Sequence, residues 1–226
     1  MGRSPPGIIA SSPRFYSVSG LDIVKELYGL FREERARHQR ERGVVWVTDL
    51  VSCSLKPVFS LEYEELALSE FFSPPLVLGT LVHRGLEALL SQVLAAKQYR
   101  VEVEPERSLE VSVDDAKYTL KGRADLVVTT PEGARIGVEI KTLRGDAALP
   151  LEHHVDQARI YNLLFDLEKS YLVYISPERL AQYEVGDRMG LDEVASRIRE
   201  PRAPRYTWEC RYCPFSVICP SKVAKA

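Results

Sequence analysis

Three side chains in the middle of the chain have the types and spacing for metal-assisted hydrolysis. Asp125 lies in one predicted strand, and Glu139 and Lys141 lie in the next, beyond the turn 131–134. Because side chains alternate along a strand, Glu139 and Lys141 share a face, with the carbonyl of Ile140 between them. Carboxylate and carbonyl oxygens are the ligands that Mg²⁺ and Mn²⁺ prefer. A neighbouring lysine can orient or deprotonate an attacking water, so the pattern indicates phosphodiester hydrolysis.

An ordinary Glu–Lys ion pair on an exposed strand would give the same three residue types. The residues around Glu139 read IGVEIK and are mostly apolar, which predicts a largely buried strand. Glutamate and lysine are unexpected in a buried strand unless they pair with something. The burial therefore favours a functional site over a surface ion pair.

Three more polar side chains are predicted to surround the same site. His83 lies on the apolar face of a long predicted helix, where a lone histidine is more often a core residue than a ligand. Gln157 and Tyr161 are four residues apart and so neighbours on one face of the next helix. Each is a weak indication alone, and their order around the acidic residues and the lysine strengthens all three.

The elements that must position these residues follow from the hydrophobic pattern. The pattern predicts an order of helices, a strand meander, a helix and further strands, which is an α/β fold with a mixed central sheet flanked by helices. The predicted helices lie at 74–97, 151–168 and 191–199, and the predicted strands at 99–105, 108–113, 118–130, 134–142, 170–176 and 180–185.

Composition places the chain among ordinary globular proteins. It has 226 residues, of which 45% are hydrophobic and 27% are charged, with a net charge of −2. This charge gives no global attraction to nucleic acid, so any DNA contact must come from local clusters. No apolar run approaches the about 20 residues of a membrane span, and the first residues lack a signal-peptide pattern. We expect a cytoplasmic protein with reduced thiols and no membrane contact.

Four cysteines in such a compartment indicate a metal centre rather than disulfides. Three of them have the spacing C-x2-C-x5-C near the end of the chain, and Cys53 must be the fourth. The separation is no obstacle, because the entropy of closing a loop grows only logarithmically with its length. Structural zinc favours paired spacing, whereas an iron–sulfur cluster accepts uneven spacing and proline after a ligand cysteine. Zinc and free thiols remain alternatives to a [4Fe–4S] or, less favoured, [2Fe–2S] cluster held by Cys53, Cys210, Cys213 and Cys219.

Four motifs resemble, in order, those of RecB-like nucleases in the PD-(D/E)xK superfamily. They are G-x-x-x-H at 79–83, GRAD at 122–125, VEIKT at 138–142 and QARIY at 157–161. GRAD lacks the superfamily's namesake proline, which leaves the proposed chemistry unaffected. The resemblance implies a restriction-endonuclease-like fold, with the metal bound by His83, Asp125 and Glu139, the water served by Lys141, and the substrate contacted by Gln157 and Tyr161.

The cysteines around these motifs narrow the resemblance. One upstream and three C-terminal cysteines are similar to the iron–sulfur nucleases, which include AddB-type recombination enzymes and the fourth core CRISPR-associated protein family. A chain of this length without a helicase domain is most similar to the CRISPR-associated family. That likeness implies a metal-dependent DNA exonuclease, acting on single-stranded DNA, that processes new spacer DNA for the adaptation integrase. The alternatives are a non-catalytic DNA-end binding partner of that integrase and an AddB-like repair nuclease.

The predicted cluster would join the two ends of the chain. We predict a flexible arm at 1–18, an N-terminal helical region with the first cluster cysteine at 19–75, a nuclease core at 76–190, and a C-terminal helix and cluster-binding tail at 191–226.

Arginines and aromatic residues alternate in the predicted tail. Arginine can pair with phosphate, and aromatic rings can stack on unpaired bases. The rings of Tyr206 and Trp208 could equally pack over the cluster, and the sequence leaves both interpretations open. The set comprises Arg197, Arg199, Arg202, Arg205, Arg211, Tyr206, Trp208 and Tyr212.

Overall fold

The structure is a computed structural model that describes residues 20–36, 41–70, 73–145 and 148–223. The predicted arm at 1–18 lies outside these residues. The helices are α1 Ile23–Ala36, α2 Val47–Leu50, α3 Leu55–Glu62, α4 Glu64–Ser69, α5 Pro74–Ala95, α6 Glu152–Leu164, α7 Leu191–Arg199 and α8 Glu209–Tyr212, followed by a 3-10 helix, Pro214–Val217.

The strands of the described residues form two sheets with helices on their faces. The smaller sheet has the order β1-β4-β3, and the larger has the order β2-β5-β6-β7-β8. The pairs β1–β4 and β6–β7 are parallel and the others are antiparallel, so the predicted mixed α/β architecture is confirmed. The strands are β1 Val44–Trp46, β2 Arg100–Val103, β3 Glu106–Val113, β4 Ala116–Arg123, β5 Leu126–Thr129, β6 Arg135–Thr142, β7 Lys169–Ile175 and β8 Leu180–Val185.

The single strand predicted at 118–130 is wrong, because the chain changes sheets between β4 and β5. The segment between β2 and β3 also changes sheets, and it lies beside the crossing between β4 and β5. Two hydrogen bonds hold the paired crossings together: Glu104 N–H donates to Asp125 O at 2.8 Å, and Ala124 N–H donates to Pro105 O at 3.2 Å. Asp125 therefore lies at the junction of the two sheets, just before β5 begins.

Helix α6 is enclosed by the fold on most of its surface. It packs against β6 and β7 of the larger sheet and β3 of the smaller one. Its polar residues are buried with partners, as buried polar groups generally are. The amide of Asn162 donates to the carbonyls of Val185 and Asp187 at 3.0 and 2.8 Å, and its oxygen accepts a hydrogen bond from Ser170 at 2.6 Å. These contacts fix the rotation of α6 about its own axis.

Helix α5 crosses close to the end of β6. A methyl group on Gly79 would lie 3.0 Å from the hydroxyl oxygen of Thr142, so a larger side chain would force the helix away from the strand. His83 follows Gly79 by four residues and so lies on the same face of the helix. The close approach at Gly79 brings His83 to the end of β6.

The predicted division of the chain into four regions stays a prediction. Strand β1 comes from the predicted N-terminal region but pairs with β4 of the predicted core. Helix α5 begins at Pro74, two residues before the predicted start of the core. No helix in the described part of the chain is long and apolar enough to cross a membrane.

Candidate active site

The first part of the site lies at an open edge of β6. Strand β5 pairs with β6 only as far as Val138, so no strand formed by the described residues covers that side of the next residues of β6. The carboxylate of Asp125 takes this place and accepts a hydrogen bond from Ile140 N–H at 2.6 Å. Because the N–H and C=O of one strand residue point to the same edge, the Ile140 carbonyl also faces the side of Asp125.

A chain of hydrogen bonds runs from β6 into α6. The ammonium of Lys141 donates to Glu139 Oε1 and to Gln157 Oε1, both at 2.8 Å. The amide of Gln157 donates to Glu139 Oε1 at 2.8 Å and to the Tyr161 hydroxyl at 3.2 Å. That hydroxyl donates to the carbonyl of Arg123 at 2.8 Å, which returns to the end of β4. The structure thus joins both predicted pairs in one network.

The surroundings of Glu139 disfavour its charged form. Its side chain is 5% exposed, and its oxygen Oε2 has no hydrogen-bond partner in the part of the chain that the structure describes. Burial and the charge of Asp125 raise the pKa of Glu139 to about 7, although Lys141 acts in the opposite direction. A buried carboxylate oxygen without a partner is costly. A cation bound beside both carboxylates would supply the missing partner, so these residues fit a divalent metal.

Helix α5 adds a histidine and a third acid to this group. His83 Nδ1 lies 3.4 Å from Asp125 Oδ1. Burial acts to lower the pKa of His83, but the hydrogen bond and charge of Asp125 outweigh it and the pKa is raised. Glu87, one helical turn after His83, is only 7% exposed, and burial followed by the charge of Asp125 raises its pKa. One ligand atom from each of His83, Glu87 and Asp125 lies within 4.8 Å of the other two.

Sequence reasoning missed Glu87. A signal was present, since Glu87 follows His83 by four residues and is the one acid in the apolar stretch GLEALL. Gln157 and Tyr161 were expected to contact substrate, and that role stays a prediction. Both are buried, at 6% and 4% exposure, and the hydrogen bonds described above connect them to Glu139, Lys141 and the chain before Asp125.

The loop with Cys53 is attached to the C-terminal tail by a buried carboxylate. Glu209, which is 3% exposed, accepts a hydrogen bond from Cys53 N–H at 2.8 Å on one oxygen. Its other oxygen accepts the N–H groups of Arg205 and Tyr206 at 3.0 and 2.9 Å. Since Cys210 follows Glu209 directly, this contact brings the first and second cysteines of the predicted set to the same part of the molecule.

The remaining thiols lie near the same place. Burial raises the pKa of the Cys53 thiol, and nearby negative charge on Glu209 and Cys219 adds to the effect. Burial likewise raises the pKa of Cys213, with a further contribution from Cys53. All four cysteines are free, and Cys53 is buried while the other three are half-buried. Cys53 therefore lies in the same region as the tail cysteines, and its role as the fourth cluster ligand stays a prediction.

Two of the five tail arginines are engaged by acids of the fold. Arg197 lies 2.7 Å from the buried carboxylate of Asp156, and Arg199 lies 3.0 Å from Asp114. Arg205 instead donates to the backbone carbonyl of Ser52 at 3.4 Å. These three arginines hold the tail to the core, which the sequence alone did not distinguish from DNA contact.

Comparison with known proteins gives consistent matches over this site. The family model of the PD-(D/E)XK nuclease superfamily matches residues 92–220. The CRISPR-associated exonuclease Cas4 of Saccharolobus solfataricus is 42% identical over 197 residues, which are 84% of this chain and 94% of that protein. The crystal structure of SSO0001 superposes with a TM-score of 0.84 at 39% identity, covering 89% of this chain and 98% of that one.

These matches confirm the restriction-endonuclease-like fold that the motifs implied. The superfamily match contains Asp125, Glu139 and Lys141, and the two longer matches cover most of the chain. The chain is therefore a metal-dependent exonuclease that belongs to the PD-(D/E)XK nuclease superfamily and, within it, to the family of the CRISPR-associated exonuclease Cas4.

Proposed function

We propose that the chain hydrolyses single-stranded DNA from an end, with Mg²⁺ or Mn²⁺ held by His83, Asp125, Glu139 and the Ile140 carbonyl. The observation that carries the proposal is the buried oxygen Glu139 Oε2, which lacks a partner in the described residues. It belongs to the same site as the Asp125 carboxylate at the open edge of β6. When bound, the cation would polarise the phosphodiester and lower the pKa of the attacking water.

Lys141 is proposed to orient that water or to offset phosphate charge. Its ammonium has three N–H donors and spends two of them on Glu139 and Gln157, so one remains for a water or a phosphate oxygen. Gln157 and Tyr161 keep this geometry by linking Lys141 to the backbone before Asp125. Substrate contact by these two residues, as the family resemblance implies, would add to that positioning role.

We further propose an iron–sulfur cluster on Cys53, Cys210, Cys213 and Cys219. The donor set fits, because four free thiols come from two segments that Glu209 joins. The uneven spacing of the cysteines, and the prolines that directly follow Cys213 and Cys219, favour an iron–sulfur cluster over zinc. The contribution of the cluster here would be a structural link between the loop with Cys53 and the C-terminal tail.

The biological role that we propose is the processing of captured DNA before an adaptation integrase inserts it as a spacer. The support is membership in a family whose named relative is CRISPR-associated. A non-catalytic DNA-end binding partner of the integrase is the rival from another class, and an AddB-like repair nuclease is the rival among enzymes. The first rival would bind DNA ends without cleaving them, which a nuclease assay tests directly.

The nuclease assay uses end-labelled single-stranded DNA with Mg²⁺ or Mn²⁺. We expect Glu139→Ala and Lys141→Ala to lower the cleavage rate by about 100-fold or more, because each removes a group that acts on the reacting phosphate or water. Glu132→Ala is the matched control, since Glu132 lies in the exposed turn before β6. Wild-type cleavage rates in either site variant, with folding verified by circular dichroism, would contradict the assignment.

A further inference from the structure

We propose that His153, Tyr206 and Trp208 form a base-stacking platform that binds one nucleotide of single-stranded DNA next to the metal site. The inference rests on the proposed nuclease function and adds where the strand lies and which part of it is recognised. The three residues are called the aromatic platform below.

The aromatic platform is built from the first turn of α6 and the segment before α8. The rings of Tyr206 and Trp208 are stacked, with centroids 5.8 Å apart and planes inclined by 18°. The imidazole of His153 lies 5.1 Å from the Trp208 ring and 5.5 Å from the Tyr206 ring. Trp208 nevertheless remains 47% exposed, so it does not serve as a buried cover for the cysteines. An indole that is stacked on a neighbouring ring and still about half exposed suits contact with an unpaired base.

Helix α6 sets the distance from the aromatic platform to the site. His153, Gln157 and Tyr161 are successive fourth residues and so share one face of the helix. The platform is thus one helical turn, about 5.4 Å along the axis, from the glutamine that binds Glu139 and Lys141. Burial and then the positive charge of Lys141 lower the pKa of His153, which agrees with this proximity. A base on Trp208 would therefore belong to a nucleotide beside the scissile phosphate.

Two arginines near the platform supply charge for the DNA backbone. Arg211 and Arg144 lie against the exposed ring of Tyr212, with guanidinium carbons 5.6 and 5.8 Å from its centroid. Neither guanidinium has a carboxylate partner among residues 20–36, 41–70, 73–145 and 148–223, in contrast to Arg197 and Arg199. Arg144 comes three residues after Lys141, at the end of the catalytic strand. Unpaired guanidinium groups beside exposed rings complement phosphates and bases together.

A preference for single-stranded over duplex DNA follows from the exposed ring of Trp208. In a duplex both faces of an internal base are covered by its neighbours, so the exposed face of Trp208 would find no base to stack on. Stacking on an aromatic ring is tolerant of sequence because every base has a π-face. The aromatic platform is therefore expected to select unpaired strands without selecting particular bases.

The first test measures the affinity for a labelled single-stranded oligonucleotide in the presence of EDTA, where no cleavage occurs. We expect Trp208→Ala to weaken binding by about 5- to 100-fold, the range found when a stacking aromatic is removed. Trp208→Phe keeps a stacking face and should retain most of the affinity. Tyr171→Ala is the matched control, because Tyr171 is on β7 and packs against Lys169 instead. Unchanged binding by a folded Trp208→Ala variant would overturn the proposal.

The second test uses a series of oligonucleotides in which one base at a time is absent. The wild type should lose affinity when the missing base is the one over Trp208, and Trp208→Ala should be indifferent to that same position. Equal sensitivity of both proteins at every position would show that the ring does not stack on a base. The same conclusion would follow if Trp208→Ala weakened the binding of duplex DNA as much as the binding of single-stranded DNA. Failure of the wild type to cleave any DNA with Mg²⁺ or Mn²⁺ would instead overturn the proposed function, whatever the binding results.

Discussion

Glu139 and Glu87 both bring buried negative charge to the site. Each carries a carboxylate that is more than nine-tenths buried, and the charge of Asp125 acts on both. Three acids so placed repel one another unless a cation or protons neutralise them. Lys141 balances part of this charge through Glu139. The remaining negative charge is the electrostatic support for the divalent cation proposed at this site.

A half-buried histidine, His154, makes the stability of the protein depend on pH. His154 contacts the Tyr174 hydroxyl at 3.0 Å through Nδ1. Burial, followed by the charges of Lys141 and His153, lowers the pKa of His154 to about 2. In the unfolded chain a histidine has a pKa of about 6.5. Below that pH the unfolded chain binds a proton that the folded protein does not, so stability falls by up to about 1.4 kcal/mol per pH unit.

Between pH 6.5 and 5, the free energy of unfolding should change less steeply with pH in His154→Phe than in the wild type. The expected difference in slope is up to about 1.4 kcal/mol per pH unit, which corresponds to one proton. The measurement is chemical unfolding at several pH values, compared with the wild type. Tyr183→Phe serves as the control, because the Tyr183 ring packs against the same Tyr174 ring with centroids 5.8 Å apart, and phenylalanine keeps that contact. The same slope in His154→Phe and in wild type would show that His154 is not held neutral.

At the scale of elements, the paired change of sheets places Asp125. A turn is usually marked by glycine or proline, but residues 124–125 contain neither, and hydrogen bonds to the segment between β2 and β3 hold this crossing in place. Residues 118–130 therefore keep a continuous strand pattern, which is why the sequence predicted one strand. The irregular backbone lies in the segment between β2 and β3, where Glu104 has a φ of 46° and is followed by Pro105.

Gly122 is the glycine on which this arrangement most depends. A methyl group there would lie 2.7 Å from Leu164, 2.8 Å from Val47 and 2.9 Å from the ring of Tyr161. All three distances are shorter than carbon atoms tolerate, so Gly122→Ala should destabilise the fold by about 1–3 kcal/mol. The displaced Tyr161 ring should also disturb the hydrogen bond to Arg123 and lower nuclease activity.

Chemical denaturation and the nuclease assay test the expectation for Gly122. Gly85→Ala is the matched control, because nothing lies within 4 Å of a methyl group at that position of α5. Alanine is the better helix former, so Gly85→Ala should leave stability unchanged or raise it by up to about 1 kcal/mol. A Gly122→Ala protein as stable as the wild type would mean that the helix and strand can separate without cost.

Alternation along β6 and the four-residue spacing on α6 were enough to predict which site residues share a face. Those periodicities are local features of the sequence, and the apolar residues around Glu139 predicted the burial of β6. The spacing of Glu87 from His83 was a signal, but it is also typical of a boundary residue of an amphipathic helix, and the proximity of Glu87 to Asp125 depends on a different element. The change of sheets at 124–125 is likewise fixed by long-range pairing, which a local pattern does not contain.

At the scale of the whole molecule, hydrogen bonds of the polypeptide itself join the loop with Cys53 to the C-terminal tail. Glu209 accepts three backbone hydrogen bonds from buried or half-buried N–H groups, including one from Cys53. Ser54 N–H donates to the Arg202 carbonyl at 2.9 Å beside it. Counting cysteines predicted that Cys53 meets the tail, but no pattern in the sequence marks Glu209 as the residue that brings them together.

We expect Glu209→Ala to destabilise the protein by about 3 kcal/mol or more, because three N–H groups lose their acceptor at once. Cys53→Ala removes a proposed cluster ligand but keeps the backbone N–H that donates to Glu209. It should therefore lose iron and sulfide, with a lower melting temperature than the iron-loaded wild type. Cys219→Ala should behave in the same way.

Thermal unfolding of iron-loaded and iron-free protein separates the two contributions, with visible absorbance and iron and sulfide analysis to verify the loading. Glu209→Gln is the conservative control, since it keeps one acceptor oxygen and should melt between Glu209→Ala and wild type. Equal melting of iron-free wild type and Glu209→Ala would show that the carboxylate does not hold the tail. A colourless preparation with stoichiometric zinc would contradict the cluster.

The Glu209 contact also bears on the order in which the mature protein is assembled. A contact between residues 156 positions apart closes the chain before any inorganic group is needed. The conformational entropy of that closure is then lost in polypeptide folding, and metallation becomes a later, separate event. We therefore expect an apoprotein that folds on its own and accepts its cluster afterwards, in contrast to small zinc domains, whose folding is driven by metal.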